Sequence, residues 1–412
     1  MATRLYGVLW RWHFLAGLIA CPVLFVVALT GALYAFQPEL DRALKPELLL
    51  VEPGAQRLPV DDLMKAAPAT CKPAGFSFSP GADRSSHIHC EGSEVEHFVN
   101  PYTGERLGSQ TWGETFFGIV FELHWELMLG EKGRIAVEWA TSWAMLLMLS
   151  GAALWWPRGG RRRAGVWYPR RELNGRQWLR DLHAVIGAYA LPVLLAIAAT
   201  GLFWTALAGQ KRWHPLTEDA AHHLYDHPPE SQGAPGAPRI GYDAVIAGAG
   251  LDLATEWRGL YIAPPPDAKG SFVIYAWDEA YERPSASAAY WVDQYRGVKL
   301  AETGWVDRSV LGKLDSSGYA IHVGSILGLA GRIAACLAAL ILAALCVTGP
   351  WMWWKRRPEG GLGVPPRGRR VAWPLLVVLG GLGWVLPTVG YTLLAVVTVE
   401  LGLWFWRKRK TP

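Results

Sequence analysis

Charged residues are scarce in this chain. Asp, Glu, Lys and Arg together make up 18% of the 412 residues, whereas hydrophobic residues make up 51%. That balance excludes a typical soluble enzyme of this length and is typical of a membrane protein with sizeable water-facing parts. The sequence also contains no Gly-x-Gly-x-x-Gly pattern, so it offers no fingerprint for binding a dinucleotide or a flavin.

Cysteine is rare as well, with five residues in the whole chain. Cys21, Cys336 and Cys346 lie in apolar runs, where a disulfide is not expected. Cys71 and Cys90 lie in a polar stretch that the topology below assigns to an oxidising compartment. A disulfide is therefore predicted for that pair alone.

Four apolar stretches are long enough to cross a bilayer as helices. They cover residues 14–36, 135–156, 184–208 and 333–354. A cleaved signal peptide is the alternative for the first stretch, but its apolar core is too long and Tyr34-Ala35-Phe36 is a poor cleavage site. A further apolar stretch is broken at Pro387 and predicts a hairpin of two shorter helices.

Basic residues indicate the orientation, because cytoplasmic loops carry an excess of Lys and Arg. They precede the first stretch, follow the second and fourth, and end the chain. Both termini are thus expected in the cytoplasm of a bacterium, with the two long segments in the periplasm. The predicted order is a first span at 1–36, a periplasmic segment at 37–134, a second span at 135–157, a basic cytoplasmic loop at 158–182, a third span at 183–209, a periplasmic segment at 210–321, a fourth span at 322–357 and a terminal hairpin at 371–406.

The chain repeats itself in three blocks that keep their order. Shifted by 170 residues, His13, Gly17, Thr30 and Gly31 match His183, Gly187, Thr200 and Gly201. Shifted by 198, His124, Gly133-Arg134 and Ser150-Gly151 match His322, Gly331-Arg332 and Thr348-Gly349. Shifted by 193, residues 99–107 match residues 292–300.

The repeat predicts a mostly α membrane protein. Each half consists of a span, an outer segment and a span, so a tandem two-helix repeat makes a four-helix transmembrane core with two periplasmic α+β segments. Both halves then share one orientation, and their symmetry axis runs along the membrane normal. Packing alone explains the repeated glycines, since small residues let helices approach closely.

The repeated histidines need another explanation. His13 and His183 are expected at the cytoplasmic end of their spans, and His124 and His322 at the periplasmic end. Two facing imidazoles near a symmetry axis can ligate one iron, and a porphyrin supplies the other four nitrogens. A bare zinc ion would want more protein ligands. Because no Cys-x-x-Cys-His motif occurs, the two predicted hemes are noncovalent, of b type, with bis-His ligation.

Two arginines support this hypothesis. Arg134 and Arg332 each follow a proposed ligand by ten residues, which is roughly 15 Å along a helix if the helix is continuous. A heme propionate would suit a guanidinium there, although an arginine at the end of a span can also extend to water. Glu138 has no counterpart in the repeat and is a second possible partner for an arginine.

Several of these repeated residues resemble a known family. Trp12-His13, His124 with Gly133-Arg134, Asp181-Leu182-His183, and His322 with Gly331-Arg332 resemble the PepSY-associated transmembrane family, over about residues 5–357. The Tyr-x-Gly blocks around Tyr102 and Tyr295 resemble part of its PepSY-like periplasmic domains. Members include inner-membrane ferric-siderophore reductases of the FoxB type.

The resemblance implies electron delivery to a ferric siderophore or other ferric chelate in the periplasm. The electron donor is then a separate cytoplasmic or membrane reductase or a quinol, and no nucleic-acid partner is expected. An alternative is a heme protein whose PepSY-like segments bind or regulate a periplasmic partner. A permease is disfavoured, because no clear broken-helix signal marks a site at the membrane midplane.

The outer segments contain features without a repeat partner. Asp61 is a candidate helix cap, and residues 242–245 begin a candidate matching helix. His222, His223 and His227 are candidates for binding a metal or an acidic chelate, although a solvated polar loop is the favoured interpretation. His87 and His89 are expected on one face of a strand.

Overall fold

The structure is a computed structural model that describes residues 2–157, 164–233, 237–253, 256, 258–278, 283–359, 361, 363 and 373–410. It divides into two compact units. The first comprises Met1–Ala35, Phe121–Leu216 and Ile333–Pro412, and the second comprises Phe36–Val120 and Thr217–Arg332. Arg158, Arg161, Arg162, Arg163, Arg367, Arg369 and Arg370, on which the predicted orientation partly depends, lie outside the described residues.

Helices make up most of the described chain. In chain order they are α1 (Ala2–Tyr34), α2 (Gln37–Leu44), α3 (Pro46–Leu49), α4 (Val60–Leu63), α5 (Phe116–Glu126), α6 (Glu131–Trp155), α7 (Gly175–Gly201), α8 (His214–Thr217), α9 (Ala220–Asp226), α10 (Tyr242–Ala249), α11 (Val310–Ser316), α12 (Gly318–His322), α13 (Gly328–Trp354), α14 (Trp373–Val385) and α15 (Pro387–Lys410).

Four of these segments are long and apolar enough to cross a bilayer, so the chain is a multi-pass membrane protein. They are Tyr6–Tyr34, Glu131–Trp155, Gly175–Trp204 and Ser325–Trp354, each overlapping one of the four predicted stretches. A helix suits this setting because it satisfies its own backbone hydrogen bonds where no water is present.

The third span ends earlier than its hydropathy predicts. Helix α7 stops at Gly201 and passes into a 3₁₀ turn, whereas the apolar stretch runs on to residue 208. The carboxylate of Glu138, fully buried on α6, accepts hydrogen bonds from the backbone N–H of Leu207 at 3.0 Å and of Ala208 at 2.8 Å. Glu138 therefore binds these backbone amides, and among the described residues the suggested pairing with an arginine is not found.

The C-terminal apolar stretch forms two helices. Helix α14 ends at Val385 and α15 begins at Pro387, because proline cannot continue the hydrogen bonding of a helix. Val389 is fully buried in the core of the first unit, and the indole N–H of Trp139 donates to Thr392 Oγ1 at 3.0 Å. The hairpin thus packs on the helices of its own unit.

Within its described residues, the second unit contains one antiparallel sheet of eight strands. They are β1 (Pro73–Phe78), β2 (Ser86–Cys90), β3 (Val95–Val99), β4 (Arg106–Thr111), β5 (Gly259–Ala263), β6 (Phe272–Trp277), β7 (Ala288–Val292) and β8 (Lys299–Gly304). Their spatial order is β4-β3-β2-β1-β5-β6-β7-β8.

The sheet corrects the expectation of two separate α+β units. Strands β1 and β5, one from each half of the sequence, pair directly, with Phe76 opposite Ile262 and Phe78 opposite Leu260. Pairing removes the exposed edge that each four-stranded half would otherwise present. One core runs beneath both halves and includes Ile88 and Ile274, with α4 and α10 on that face.

The short helices on this core cap one another. The Asp61 carboxylate accepts from the backbone N–H of Tyr242 at 2.8 Å, at the start of α10. Asp243 accepts from the N–H of Val60 at 2.8 Å and of Asp61 at 3.1 Å, at the start of α4. Asp61 is therefore a cap, as predicted, but for the helix of the other half rather than its own.

A disulfide joins Cys71 to Cys90 at the end of β2. A covalent link over this separation of 19 residues restricts the unfolded chain and so favours the folded sheet. Cys21, Cys336 and Cys346 are not disulfide-bonded.

Candidate functional site

Three of the four repeated histidines lie in the first unit, each against a hydroxyl residue and a glycine of another helix. His13 on α1 places its Nδ1 2.9 Å from the Oγ of Ser150 on α6. The next residue on α6 is Gly151, where a Cβ would lie only 3.2 Å from His13 Cε1. The ring is therefore seated on the surface of α6, at a point where a larger residue would displace it.

His183 makes the corresponding contacts on the other pair of helices. Its Nδ1 lies 2.9 Å from Thr348 Oγ1 on α13, and Gly349 follows, with a Cβ position 3.7 Å from His183 Cε1. Ser150-Gly151 and Thr348-Gly349 are the positions that the shift of 198 residues relates.

His124, on α5, contacts α1 one turn below its end. Its Nδ1 lies 2.9 Å from the carbonyl oxygen of Val27 and 3.2 Å from Thr30 Oγ1. A Cβ on Gly31 would approach His124 Cε1 to 2.9 Å. This histidine is thus also held by a backbone carbonyl, a hydroxyl and a glycine.

These contacts are compatible with a proton on Nδ1 of each ring. The Val27 carbonyl can only accept, so the proton of a neutral His124 ring sits on Nδ1. The hydroxyls of Ser150 and Thr348 lie within hydrogen-bonding distance of a carbonyl oxygen of their own helix, that of Leu147 and Leu345, and a hydroxyl that donates to this oxygen accepts from Nδ1. A ring protonated on Nδ1 carries on Nε2 the lone pair that a metal ion would use.

The chain between His124 and Arg134, and between His322 and Arg332, is not one continuous helix. Helix α5 ends two residues after His124, Leu127 and Met128 have φ of 54° and 56°, and α6 begins at Glu131. In the second half, α12 ends at His322, and α13 begins at Gly328. The separation of about 15 Å along one continuous helix is therefore wrong.

Steric crowding explains why a glycine precedes each of the two arginines. A Cβ on Gly133 would lie 1.6 Å from the carbonyl oxygen of Glu126, and one on Gly331 would lie 2.1 Å from that of Gly324. Only glycine lets the new helix start so close to the chain that precedes it.

The two arginines have different surroundings. Arg332 is buried, and its guanidinium donates to both carboxylate oxygens of Glu39, at 2.6 and 2.5 Å. Arg134 is exposed and lies over the ring of Trp125, 5.8 Å from its centroid. Glu39 was not singled out from the sequence, since its repeat position holds Gly209 and nothing nearby on the chain marks it as a partner.

Asp181, two residues before His183, anchors the preceding loop. It is buried, and its carboxylate accepts from the guanidinium of Arg170 at 2.7 and 3.0 Å and from Arg180 at 2.9 Å. The Asp-x-His spacing therefore serves to hold the start of α7, and places no carboxylate on the imidazole among the described contacts.

The outer histidines lie in the second unit. His87 and His89 share the face of β2 opposite the core, as the alternation predicts. His222 is on helix α9, not in a loop, because Asp219 caps that helix by accepting from the backbone N–H of Ala221 and His222. His89 and His222 line one cavity of this unit with Tyr225, Tyr261 and Arg308, none of which was identified from the sequence.

Cys71, Cys90 and His97 also bring potential metal-binding atoms together. Both sulfur atoms are committed to the disulfide, so this group is not a thiolate metal site.

Comparison with known proteins gives one family. The family model described as the PepSY-associated TM region matches residues 10–356, which is most of the chain and contains all four repeated histidines. Comparison with curated proteins gives no significant match.

Proposed function

The chain belongs to the PepSY-associated transmembrane family, and from that premise we propose that it is a b-type diheme electron-transfer protein of the bacterial inner membrane. It would receive electrons from a separate reductase or quinol and pass them to a ferric siderophore or other ferric chelate in the periplasm, with both of its termini in the cytoplasm.

The observation that carries the proposal is the matching environment of His13 and His183. Each ring has its Nδ1 2.9 Å from a hydroxyl oxygen and lies against a glycine, tightly at Gly151 and at an ordinary contact distance at Gly349. Histidines that ligate a metal usually have their second nitrogen held in this way, which fixes the ring and makes it a better ligand. His124 has the same arrangement, and His322 is its counterpart in the repeat.

The donor set fits heme better than it fits a bare ion. A neutral imidazole offers one lone pair, and two such rings suffice only when the metal already has four other ligands. Heme iron held there would alternate between its ferric and ferrous states and so carry one electron at a time. Reduction of a ferric chelate consumes one electron per iron and leaves the ferrous form, which oxygen ligands hold less tightly.

The first test is heme content. Purified protein in detergent should show a Soret band and about two hemes per chain in a pyridine hemochromogen assay, the number that two bis-His sites require. His13→Ala and His183→Ala should remove the same heme, and His124→Ala and His322→Ala the other. His223→Ala, at an exposed position on α9, is the control and should retain both. Wild-type protein without heme would reject the proposal.

The second test is electron transfer. Dithionite-reduced protein, freed of excess reductant under argon, should be reoxidised by a ferric siderophore or ferric chelate, observed at the Soret band. A heme-loaded protein that responds to oxygen or quinone but to no ferric chelate would contradict the reductase proposal. Capture of a periplasmic protein by such a redox-silent sample would favour binding or regulation of a partner instead.

A further inference from the structure

The sheet of the second unit has a cavity on the face opposite its core. Its volume is about 790 Å³, which lies within the range of small-molecule sites. Its walls come from β1, β2, β5, β6, β7 and β8 together with α9, α11 and the segment around Trp305. It is therefore bounded by both halves of the sequence and arises only where β1 and β5 join.

Aromatic side chains form the main wall of this cavity. The rings of Tyr225, Tyr275 and Tyr261 are nearly parallel, with 7° and 11° between successive planes and 6.2 Å between successive centroids. His89 meets Tyr261 edge to face at 5.2 Å, while Trp277 and Trp305 contribute further surface. Such a wall favours planar ligands, because stacked and edge-to-face contacts between aromatic rings stabilise a complex beyond the burial of apolar area.

The polar groups of the cavity include three phenol hydroxyls that can donate hydrogen bonds. Burial raises the pKa of the hydroxyls of Tyr225, Tyr261 and Tyr275, so these phenols stay protonated at neutral pH. Phenols in this state donate hydrogen bonds to ligand oxygens and do not compete for ferric iron as phenolates would.

Arg308 supplies the main positive charge. Its guanidinium lies 5.6 Å from the ring centroid of Tyr225 and contacts the His222 ring. Among the described residues it forms no ion pair with a carboxylate within 4.0 Å, although Asp315 also lines the cavity. A guanidinium so placed suits an oxygen-rich anionic group.

The cavity also lies close along the chain to a proposed heme ligand. Ser316, at the end of α11, lines it, and His322 ends the next helix, α12, six residues later. Six residues span at most about 22 Å even when fully extended. The cavity and His322 thus belong to one unit and lie within that distance of each other.

We propose that this cavity, defined by Tyr225, Tyr261, Tyr275, His89 and Arg308, binds a ferric chelate whose iron ligands are carried on aromatic rings, of the catecholate or phenolate class. The identity of the ligand as a ferric chelate rests on the function proposed above. The preference for aromatic ligand arms rests on the cavity alone.

The test separates binding from reduction by using gallium(III), which has the charge and size of ferric iron but is not reduced. Binding of gallium tris(2,3-dihydroxybenzoate) to the full-length protein in detergent is measured by calorimetry. Tyr225→Leu and Arg308→Gln should each weaken binding about tenfold, the loss expected for an aromatic or charged contact of this kind. A gallium tris-hydroxamate should bind the wild type about tenfold more weakly and respond little to Tyr225→Leu.

The chain provides matched controls outside the cavity. Tyr295→Leu removes a tyrosine whose hydroxyl donates to the Ala268 carbonyl, and Arg296→Gln removes an exposed arginine. Both should leave the affinity unchanged. Folding is followed by circular dichroism. If Tyr225→Leu fails to fold, Arg308→Gln still tests the site, and Tyr225→Phe, which keeps the ring but loses one donor, should weaken binding by less than Tyr225→Leu is expected to.

The outcomes distinguish the two proposals. If the aryl gallium chelate does not bind the wild type, or binds the cavity variants equally well, the cavity proposal is overturned even when ferric chelates reoxidise the protein. Equal affinity for the hydroxamate overturns the aromatic preference. If the gallium chelate binds and the variants lose it, but no ferric chelate reoxidises the protein, the site stands and the reductase function fails.

Discussion

His124 donates through Nδ1 to the carbonyl oxygen of Val27, with 2.9 Å between the two atoms. A carbonyl oxygen has no proton to give, so this bond leaves the proton of a neutral ring on Nδ1. Val27 lies one turn before Gly31 on α1, and the ring passes over the glycine. The same helix therefore orients the imidazole and makes space for it, which gives a direct way to disturb one proposed ligand without removing it.

Gly31→Ala should disturb the heme that His124 is proposed to hold. The new Cβ would lie 2.9 Å from His124 Cε1, so the ring must move and its bond to Val27 must lengthen. We expect retention of that heme to fall about tenfold, in line with the loss of an outer contact to a metal ligand. The measurement is the heme-to-protein ratio after passage through apomyoglobin, which takes up released heme.

Gly17→Ala is the matched control on the same helix, because its Cβ would meet Leu147 Cδ2 at an ordinary 3.7 Å. It should keep its heme. Equal heme retention in the two variants would show that the close approach at Gly31 does not position a ligand.

Removing the hydroxyls beside His13 and His183 should raise the reduction potential of the heme that they are proposed to share. Ser150→Ala and Thr348→Val delete the hydroxyls that lie 2.9 Å from Nδ1 in both cases and that would accept its proton in a metal-binding ring. An imidazole without that acceptor donates less electron density to iron and so stabilises the ferric state less. The potentials are read from a spectroelectrochemical titration of each variant.

Ser150→Thr and Thr348→Ser keep a hydroxyl and are expected to behave like the wild type. The potential of the second heme, assigned to His124 and His322, should not move in any of these variants. A shift of both potentials together would indicate a general structural change rather than the loss of these two bonds.

The Arg332–Glu39 pair should matter for stability, whereas Arg134 should not. Arg332 is buried, and Glu39 accepts from it through both oxygens. Glu39→Ala leaves a buried guanidinium without these bonds, and we expect a loss of about 1–3 kcal/mol, at the low end because the Glu39 side chain is 44% exposed. Thermal unfolding in detergent measures this loss.

Arg134→Gln is the comparison that the repeat provides. Arg134 is exposed and should change stability by less than about 0.5 kcal/mol. If Arg134→Gln instead lowers heme retention while stability is unchanged, the role that the sequence analysis suggested for it, as a partner of a propionate, is supported. A destabilisation equal to that of Glu39→Ala would contradict the different environments of the two arginines.

The sheet should lose stability in mild acid because of His87. Burial lowers the pKa of His87 to about 4, against an ordinary 6.5, with Glu96 raising it and His89 lowering it further. The neutral His87 ring contributes fully to the free energy of unfolding above pH 6.5. This contribution is lost as the pH falls from 6.5 towards 4, because in that range the unfolded chain takes up the proton and the folded chain does not. A shift of this size corresponds to about 3 kcal/mol.

Urea unfolding at pH 7.5 and 4.5 tests this expectation. The His87→Gln variant has no imidazole to protonate, so its loss of stability between the two pH values should be smaller than that of the wild type by about 2–3 kcal/mol. The control is His223→Gln, at an exposed site on α9. A wild type and a His87→Gln variant with the same pH dependence would contradict the argument.

Local patterns in the sequence sufficed for the membrane helices. Hydropathy and length identified the four stretches, because a helix in lipid must be apolar over its whole length wherever it occurs in the chain. The alternation at His87 and His89 likewise predicted a strand face. The ends of the helices were less reliable. The third helix stops at Gly201, and Glu138 binds the backbone beyond it through contacts that join residues 69 and 70 positions apart.

The four candidate ligands were also identified from the sequence pattern alone. Histidines at repeated positions are visible in the sequence itself, and their neighbours Ser150-Gly151 and Thr348-Gly349 were visible as matching residues. The contacts that these neighbours make with the histidines could not be predicted from the sequence, because helix packing explained the glycines equally well. Only the folded chain shows that each glycine faces an imidazole and that each hydroxyl oxygen lies 2.9 Å from its Nδ1.

The sequence alone thus determined that this is a multi-pass membrane protein of one family, with four repeated histidines. The tertiary structure determined which residues contact these histidines and which residues form the second unit. It joined β1 to β5 into one sheet, paired Arg332 with Glu39 but left Arg134 exposed, and brought Tyr225, Tyr261 and Tyr275 to one cavity. The physical reason is that hydropathy and repetition act through neighbouring positions, whereas these contacts join residues far apart in sequence that only packing brings together.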